Sequence, residues 1–148
     1  MNLRRMPMYP VMLNLEGKKI LIVGGGRIAK RKVNGLQGEG AYITVMASEI
    51  DAEIKAKDVE CIQNPFAKQD ISQYDIVFIA TNDEVINKQI MECVHDHQLV
   101  NDCSNKSNSN FFNVASFKHD DMRIMISSDG ASPEKSKALK HKIKTLLK

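Results

Sequence analysis

An apolar run, Lys19-Ile20-Leu21-Ile22-Val23, leads directly into Gly24-Gly25-Gly26-Arg27-Ile28-Ala29. Gly24, Gly26 and Ala29 keep the G-x-G-x-x-G/A spacing of a dinucleotide-binding turn. In such a turn Gly24 allows the sharp reversal, Gly26 lets a pyrophosphate approach the backbone, and Ala29 lets the helix pack close to the strand. The helix that follows directs its unpaired N–H groups and positive dipole end at that phosphate. Glycine clusters also occur in turns that bind no phosphate, and it is the strand before and the helix after that favour a dinucleotide. Gly24→Asp is then expected to abolish dinucleotide binding without unfolding the domain.

In open α/β sheets ligands bind outside the carboxyl ends of the strands. Those ends here are Gly24 to Gly26, Ala47-Ser48-Glu49, Thr81-Asn82-Asp83 and Asp102. The expected cofactor-binding set is Gly24, Gly26, Arg27, Ile28, Ala47, Ser48, Glu49, Thr81 and Asn82. An acid about twenty residues past the glycines favours NAD, whereas an arginine there favours NADP. Glu49 with no arginine beside it points to NAD, unless Glu49 only caps the next helix. Asp102 is either a general base taking a proton while hydride leaves or a turn-forming aspartate beside a polar loop.

Other reactive side chains read more plainly. His95 and His97 close an expected helix, where cationic groups suit the dipole, and they lack further ligands at metal spacing, so no metal site is expected. His119 falls in an expected hairpin turn, where solvation is the common state. Lys135, Lys137, Lys140, His141, Lys142, Lys144 and Lys148 form the solvated side of a last helix. Binding of membrane or nucleic acid is the less favoured alternative, and attraction of a small polyanion a third. No tyrosine is followed four residues later by lysine, and no G-x-x-x-x-G-K-[ST] exists, which excludes two other nucleotide chemistries.

The elements that must position these groups follow from periodicity. Ala29, Val33 and Leu36 give the helix after the glycines a buried face, and residues 41–46 form a second β-branched strand. Strand, helix, strand is a parallel βαβ unit. A lead-in strand is expected over 9–15, a helix over 48–57, and a weak strand around 59–62. Residues 75–80 read as the clearest buried strand, 84–95 as a helix and 98–101 as a strand. After a polar loop over 104–110, strands at 111–117 and 122–127 flank a turn. Ser132 then caps a helix with Pro133 at its first position, its apolar side drawn from Ala138 or Leu139, Ile143, and Leu146 or Leu147.

The fold class is therefore α/β, a Rossmann-like mostly parallel sheet flanked by helices, followed by a β-hairpin and a helix. With 148 residues, 43% of them hydrophobic, and a net charge of +3, the chain suits one domain with a small appendage. Cys61, Cys93 and Cys103 are odd in number and far apart, and read as reduced thiols in a cytosolic protein. The N-terminus, with Arg4 and Arg5, lacks the apolar core of a signal peptide.

In their order, several pieces together resemble the precorrin-2 dehydrogenase family, the NAD-dependent domain found alone or at the N-terminus of siroheme synthases. They are Pro10-Val11-Met12-Leu13-Asn14-Leu15-Glu16-Gly17-Lys18-Lys19, the glycine turn with Arg31-Lys32, Ala80-Thr81-Asn82-Asp83 with Asn87, Leu99-Val100-Asn101, and Ile126-Ser127-Ser128-Asp129-Gly130-Ala131-Ser132-Pro133. The resemblance implies oxidation of precorrin-2 to sirohydrochlorin, with NAD+ accepting hydride, in siroheme and porphyrin biosynthesis. It implies a cytoplasmic homodimer, with 1–110 as the NAD-binding domain and 111–148 carrying the dimerisation strands and the start of a C-terminal helical region. It also implies a small-molecule tetrapyrrole partner, no nucleic acid and no membrane. Substrate groups are expected at Ser104, Asn108 and Ser127, with Asp102 as the catalytic carboxylate.

Two departures qualify the match. Many members carry an aspartate shortly after the Val-Asn pair, whereas here Asp102 follows at once and the loop beyond holds Ser104 and Asn108. Members also usually continue into a helical region that helps cover the substrate, and this chain ends at Lys148 inside the helix leading there. Iron insertion is not expected. The alternatives are a non-catalytic NAD-sensing module and an inactive truncated remnant.

Overall fold

The computed structural model describes residues 7–148; the basic Arg4 and Arg5 lie outside them. Contacts divide the chain into two compact units, Asn14–Phe112 and a second made of residues 7–13 with Asn113–Lys148.

In the larger unit, β1 (Lys19–Val23), β2 (Tyr42–Met46), β3 (Glu60–Ile62), β4 (Ile76–Ile79) and β5 (Leu99–Asp102) form one parallel sheet in the order β3-β2-β1-β4-β5. Near-continuous apolar runs are what a sheet covered on both faces requires. Strand alternation sends Ile20, Ile22, Ile76 and Phe78 into one core, with Ala29 and Val33 of α1 (Arg27–Leu36) and Ile54 of α2 (Ala52–Lys55). Leu21, Val23, Val77 and Ile79 face the other core, with Phe66, Ile71 and Ile90 of α3 (Glu84–Cys93). The strand order reverses between β1 and β4, the switch point where such sheets bind ligands.

Several boundaries differ from the sequence expectation. Residues 9–15 form no strand and pair in neither sheet, and Tyr9, Val11, Met12 and Leu13 are exposed. The helix expected over 48–57 shrinks to the single turn of α2, because Asp51 caps it by accepting the Glu53 N–H at 2.8 Å. Helix α3 stops at Cys93, so His95 and His97 lie past its end rather than on its last turn. There the buried Gln98 side chain accepts the His95 N–H at 2.8 Å and donates to the Ile71 and Tyr74 carbonyls.

In the smaller unit, β6 (Ala115–His119) and β7 (Met122–Ile126) pair antiparallel, Phe117 opposite Ile124. The strand expected from Phe111 begins only at Ala115. Phe111 instead packs edge-on against Phe78, with ring centroids 5.5 Å apart, and its carbonyl accepts from Asn101 Nδ2 at 3.0 Å. His119 is the last residue of β6, one place before the turn. Asp129 and Gly130 both have positive φ, and Ala131 N donates to Ser128 O at 3.1 Å, a type I′ turn. Ser132 then caps α4 (Pro133–Leu146) as expected, accepting the Lys135 N–H at 3.2 Å. Lys144 Nζ lies 5.7 Å from the centre of the Phe117 ring, and Leu139, Leu146 and Leu147 of the expected apolar side stay exposed. No helix among the described residues is long and apolar enough to cross a membrane.

Candidate functional site

Two of the three glycines are required by backbone packing. Gly24 has φ +131, and a Cβ there would stand 2.2 Å from the Ala80 carbonyl oxygen. A Cβ on Gly25 would stand 2.0 Å from the Glu49 carbonyl oxygen. Gly25 thus carries as strict a demand as Gly24, although the motif treats its position as free. Gly26 differs: a Cβ added there meets nothing within 4 Å. Its side faces open space.

That space lies at the start of α1. Gly26 is the N-cap of α1 and offers no side-chain acceptor, and the first turn holds no acid. The other three α-helices are capped by Asp51, Asp83 and Ser132. Helix α1 therefore presents first-turn N–H groups without a side-chain cap, the arrangement that receives a phosphate. Ala29 is fully buried against the sheet, as the motif requires.

A cavity of about 380 Å³ opens at this switch point. Its walls include Gly24, Gly26, Arg27, Ile28, Ala47, Ser48, Glu49, Thr81 and Asn82, so all nine sequence-expected cofactor residues surround one space. Glu49 does not cap α2, since Asp51 does, and its exposed side chain stands at the cavity wall. Sequence reasoning missed Pro65, Phe66 and Ile86, which also line it. Asn64-Pro65 reads as a strand breaker, yet its place at the carboxyl end of β3 was the available signal.

The geometry at Gly24 also corrects its mutational expectation. An aspartate there would strike Ala80 and strain the backbone, so Gly24→Asp disrupts the fold instead of blocking binding alone.

Beyond Thr81 the carboxyl edge continues to β5. Cys103 N donates to Ile79 O at 2.9 Å, which sets the end of β5 beside that of β4. Asp102 is only 4% exposed. Its Oδ1 accepts from Ser104 N at 2.9 Å and Ser104 Oγ at 2.6 Å, and its Oδ2 accepts from Asn108 Nδ2 at 3.0 Å. The structure thus gathers Asp102, Ser104 and Asn108 into one cluster, with Ser109 Oγ accepting the Asp102 N–H at 2.8 Å. Ser127 belongs to the smaller unit, where its Oγ accepts the Asp129 N–H at 3.0 Å.

The neighbouring electrostatics come from α1. Lys32 Nζ lies 5.4 Å from the centre of the Phe78 ring. Burial pushes the Cys103 thiol up from its ordinary value, while the charges of Lys32 and Arg31 draw it down. Among the described residues no group of three or more His, Cys, Asp or Glu is placed to hold a metal ion.

Comparison with known proteins places these features in context. The family model described as putative NAD(P)-binding matches residues 11–115. The chain is 39% identical over 137 residues to the precorrin-2 dehydrogenase of Priestia megaterium, covering 90% of this chain and 68% of that protein. It is 30% identical over 144 residues to the precorrin-2 dehydrogenase of Bacillus subtilis (strain 168), covering 95% of this chain and 89% of that one. The solved structure of SirC, precorrin-2 dehydrogenase, superposes with a TM-score of 0.85 at 37% identity, over 94% of this chain and 71% of its own.

Proposed function

The chain belongs to the precorrin-2 dehydrogenase family, and from that premise we propose how its residues carry the NAD-dependent oxidation of precorrin-2 to sirohydrochlorin in siroheme biosynthesis. The observation that carries the assignment of the site is the open side of Gly26 at the uncapped start of α1. A dinucleotide fits that geometry. Its pyrophosphate would be held by the backbone of Gly26, Arg27 and Ile28, where N–H donors and the helix dipole favour negative charge. Gly24 would hold the turn in place. Glu49, with Ala47 and Ser48, would receive the ribose hydroxyls, and a carboxylate there disfavours an added 2′-phosphate. Thr81 and Asn82 would line the nicotinamide side.

Bound NAD+ supplies the hydride acceptor. The chain's contribution is orientation: it holds the reacting carbon of the tetrapyrrole against the nicotinamide, since proximity and alignment alone can remove roughly 7–11 kcal/mol of a barrier. The wider conjugation of the product favours the oxidation. Ser104 and Asn108 are assigned to substrate contact; Ser127 is assigned to it separately, on the resemblance of its 127–133 turn to the family's. Asp102, or solvent, is assigned to take up the proton. Of the expected 1–110 domain, residues 14–110 serve to bind NAD, whereas residues 7–13 pack with the smaller unit; 111–148 carries the dimerisation strands of a cytoplasmic homodimer and the start of the C-terminal helical region.

The test is anaerobic mixing of the protein with precorrin-2 and NAD+. Sirohydrochlorin and NADH should appear together. NAD+ binding without NADH above the protein-free rate would favour the non-catalytic sensing module instead.

A further inference from the structure

Asp102 is poorly placed to meet a substrate itself. It is 4% exposed, and three donors occupy its two oxygens. Ser104 is exposed, and its hydroxyl lies 2.6 Å from Asp102 Oδ1, a short, charge-assisted bond.

The direction of that bond is fixed from the other side by Asn87. This amide is buried on α3, at 7% exposure, where every hydrogen bond must be satisfied. Its Nδ2 donates to the Thr81 carbonyl at 3.0 Å and to Ser104 Oγ at 3.3 Å, and its Oδ1 accepts from Thr81 Oγ1 at 3.0 Å. A carbonyl can only accept, so the amide nitrogen must face Thr81 O, and turning it over would set two acceptors together. Ser104 Oγ therefore accepts a hydrogen bond from Asn87 and donates one to Asp102. A hydroxyl has one proton and two lone pairs. One lone pair of Ser104 remains, on an exposed side chain that Asn87 links to Thr81 at the cavity wall.

We propose that Ser104 is the catalytic residue that takes the substrate's departing proton and passes its own to Asp102, with Asn87 as the positioning residue that holds it in that state. The proposal rests on the dehydrogenase reading above. One substrate hydrogen leaves with its electron pair as hydride to NAD+. A second leaves as a proton to Ser104 Oγ, and its bonding pair stays behind in the new double bond. The Ser104 hydroxyl proton moves to Asp102 Oδ1, leaving a neutral serine and a protonated carboxyl that exchanges with water before the next turnover.

The experiment is anaerobic steady-state kinetics with precorrin-2 and NAD+ on the full chain, Ser104→Ala and Ser104→Thr. It is run across pH in H2O and D2O, with thermal melting and the NAD+ Kd measured by calorimetry for each. Ser104→Ala should lower kcat by roughly a hundredfold, the low end for general base catalysis. Its NAD+ Kd should stay at the wild-type value and its KM should change far less than kcat, while its melting temperature falls modestly because Asn87 and Asp102 each lose a partner. The solvent isotope effect on kcat, present in the wild type, should change in Ser104→Ala, and Ser104→Thr should restore rate and isotope effect. Wild-type kcat with an unaltered pH profile in Ser104→Ala overturns the relay while leaving the dehydrogenase reading intact. A loss of rate that Thr does not restore although it restores melting, or that comes with lost NAD+ affinity, marks a loop staple and also overturns the relay. A wild type that binds NAD+ but forms no NADH overturns the dehydrogenase reading and the relay with it.

Discussion

Gly24 and Gly26 should respond to the same added methyl group in opposite ways. Gly24→Ala places a Cβ 2.2 Å from a backbone oxygen at φ +131, and overpacking and backbone strain of about 1–3 kcal/mol each apply there. Its unfolding free energy should fall by about 2–6 kcal/mol in a denaturant titration. Gly26→Ala meets open space and should lose only about 0.5–1.5 kcal/mol, the preference of an N-cap for glycine over alanine. It should nevertheless bind NAD+ at least tenfold more weakly, because the methyl occupies the phosphate's approach. Cys103 makes a second residue-scale prediction. Burial raises its thiol above the ordinary 9.0 and the Lys32 charge opposes that rise. The neutral thiol should therefore persist through neutral pH, and alkylation should be slower than for free cysteine at pH 8. Lys32→Ala should slow it further, and a faster reaction would contradict that electrostatic assignment. At this scale the sequence was most legible where a backbone rule fixes the residue type, as at Gly24 and Ala29. It was silent at Gly25, whose demand comes from the Glu49 carbonyl across the chain, and on the Asn87–Ser104–Asp102 network, which spans a helix, the end of a strand and a loop.

At the scale of elements, β1, α1, β2 and β4 were readable because their apolar periodicity coincides with the face they bury. The failures share one cause. Residues 9–15 alternate like a strand but have no partner, Asp51 starts α2 later than the apolar spacing suggests, and Phe111 is held by Phe78 and Asn101 before β6 can begin. Partnership, which local pattern does not contain, decided each boundary. The β6–β7 hairpin carries exposed Met122 and Met125, and α4 exposed Leu139, Leu146 and Leu147. As the proposed dimerisation segment, it should give a solution mass of twice the 16.6 kDa chain by light scattering. Met125→Asp should weaken the dimer at least tenfold without loss of secondary structure. A wild type that remains at 16.6 kDa at micromolar concentration would remove this role.

For the molecule as a whole, the reversal of strand order between β1 and β4 sets everything else. It opens the cavity, aims α1 at it, and brings the ends of β2, β4 and β5 to one edge. The family supplies the reaction, and the site residues explain how this chain would perform it. The central claim is that the Gly26 side of that cavity holds the NAD+ that takes hydride from precorrin-2. Its most direct test is anaerobic NADH formation by the wild type and Gly26→Ala at equal protein and one subsaturating NAD+ concentration. The wild type should yield one NADH per sirohydrochlorin, and the folded Gly26→Ala at least tenfold less in the same time, recovering as NAD+ is raised. Equal NADH formation by the two proteins would contradict the claim.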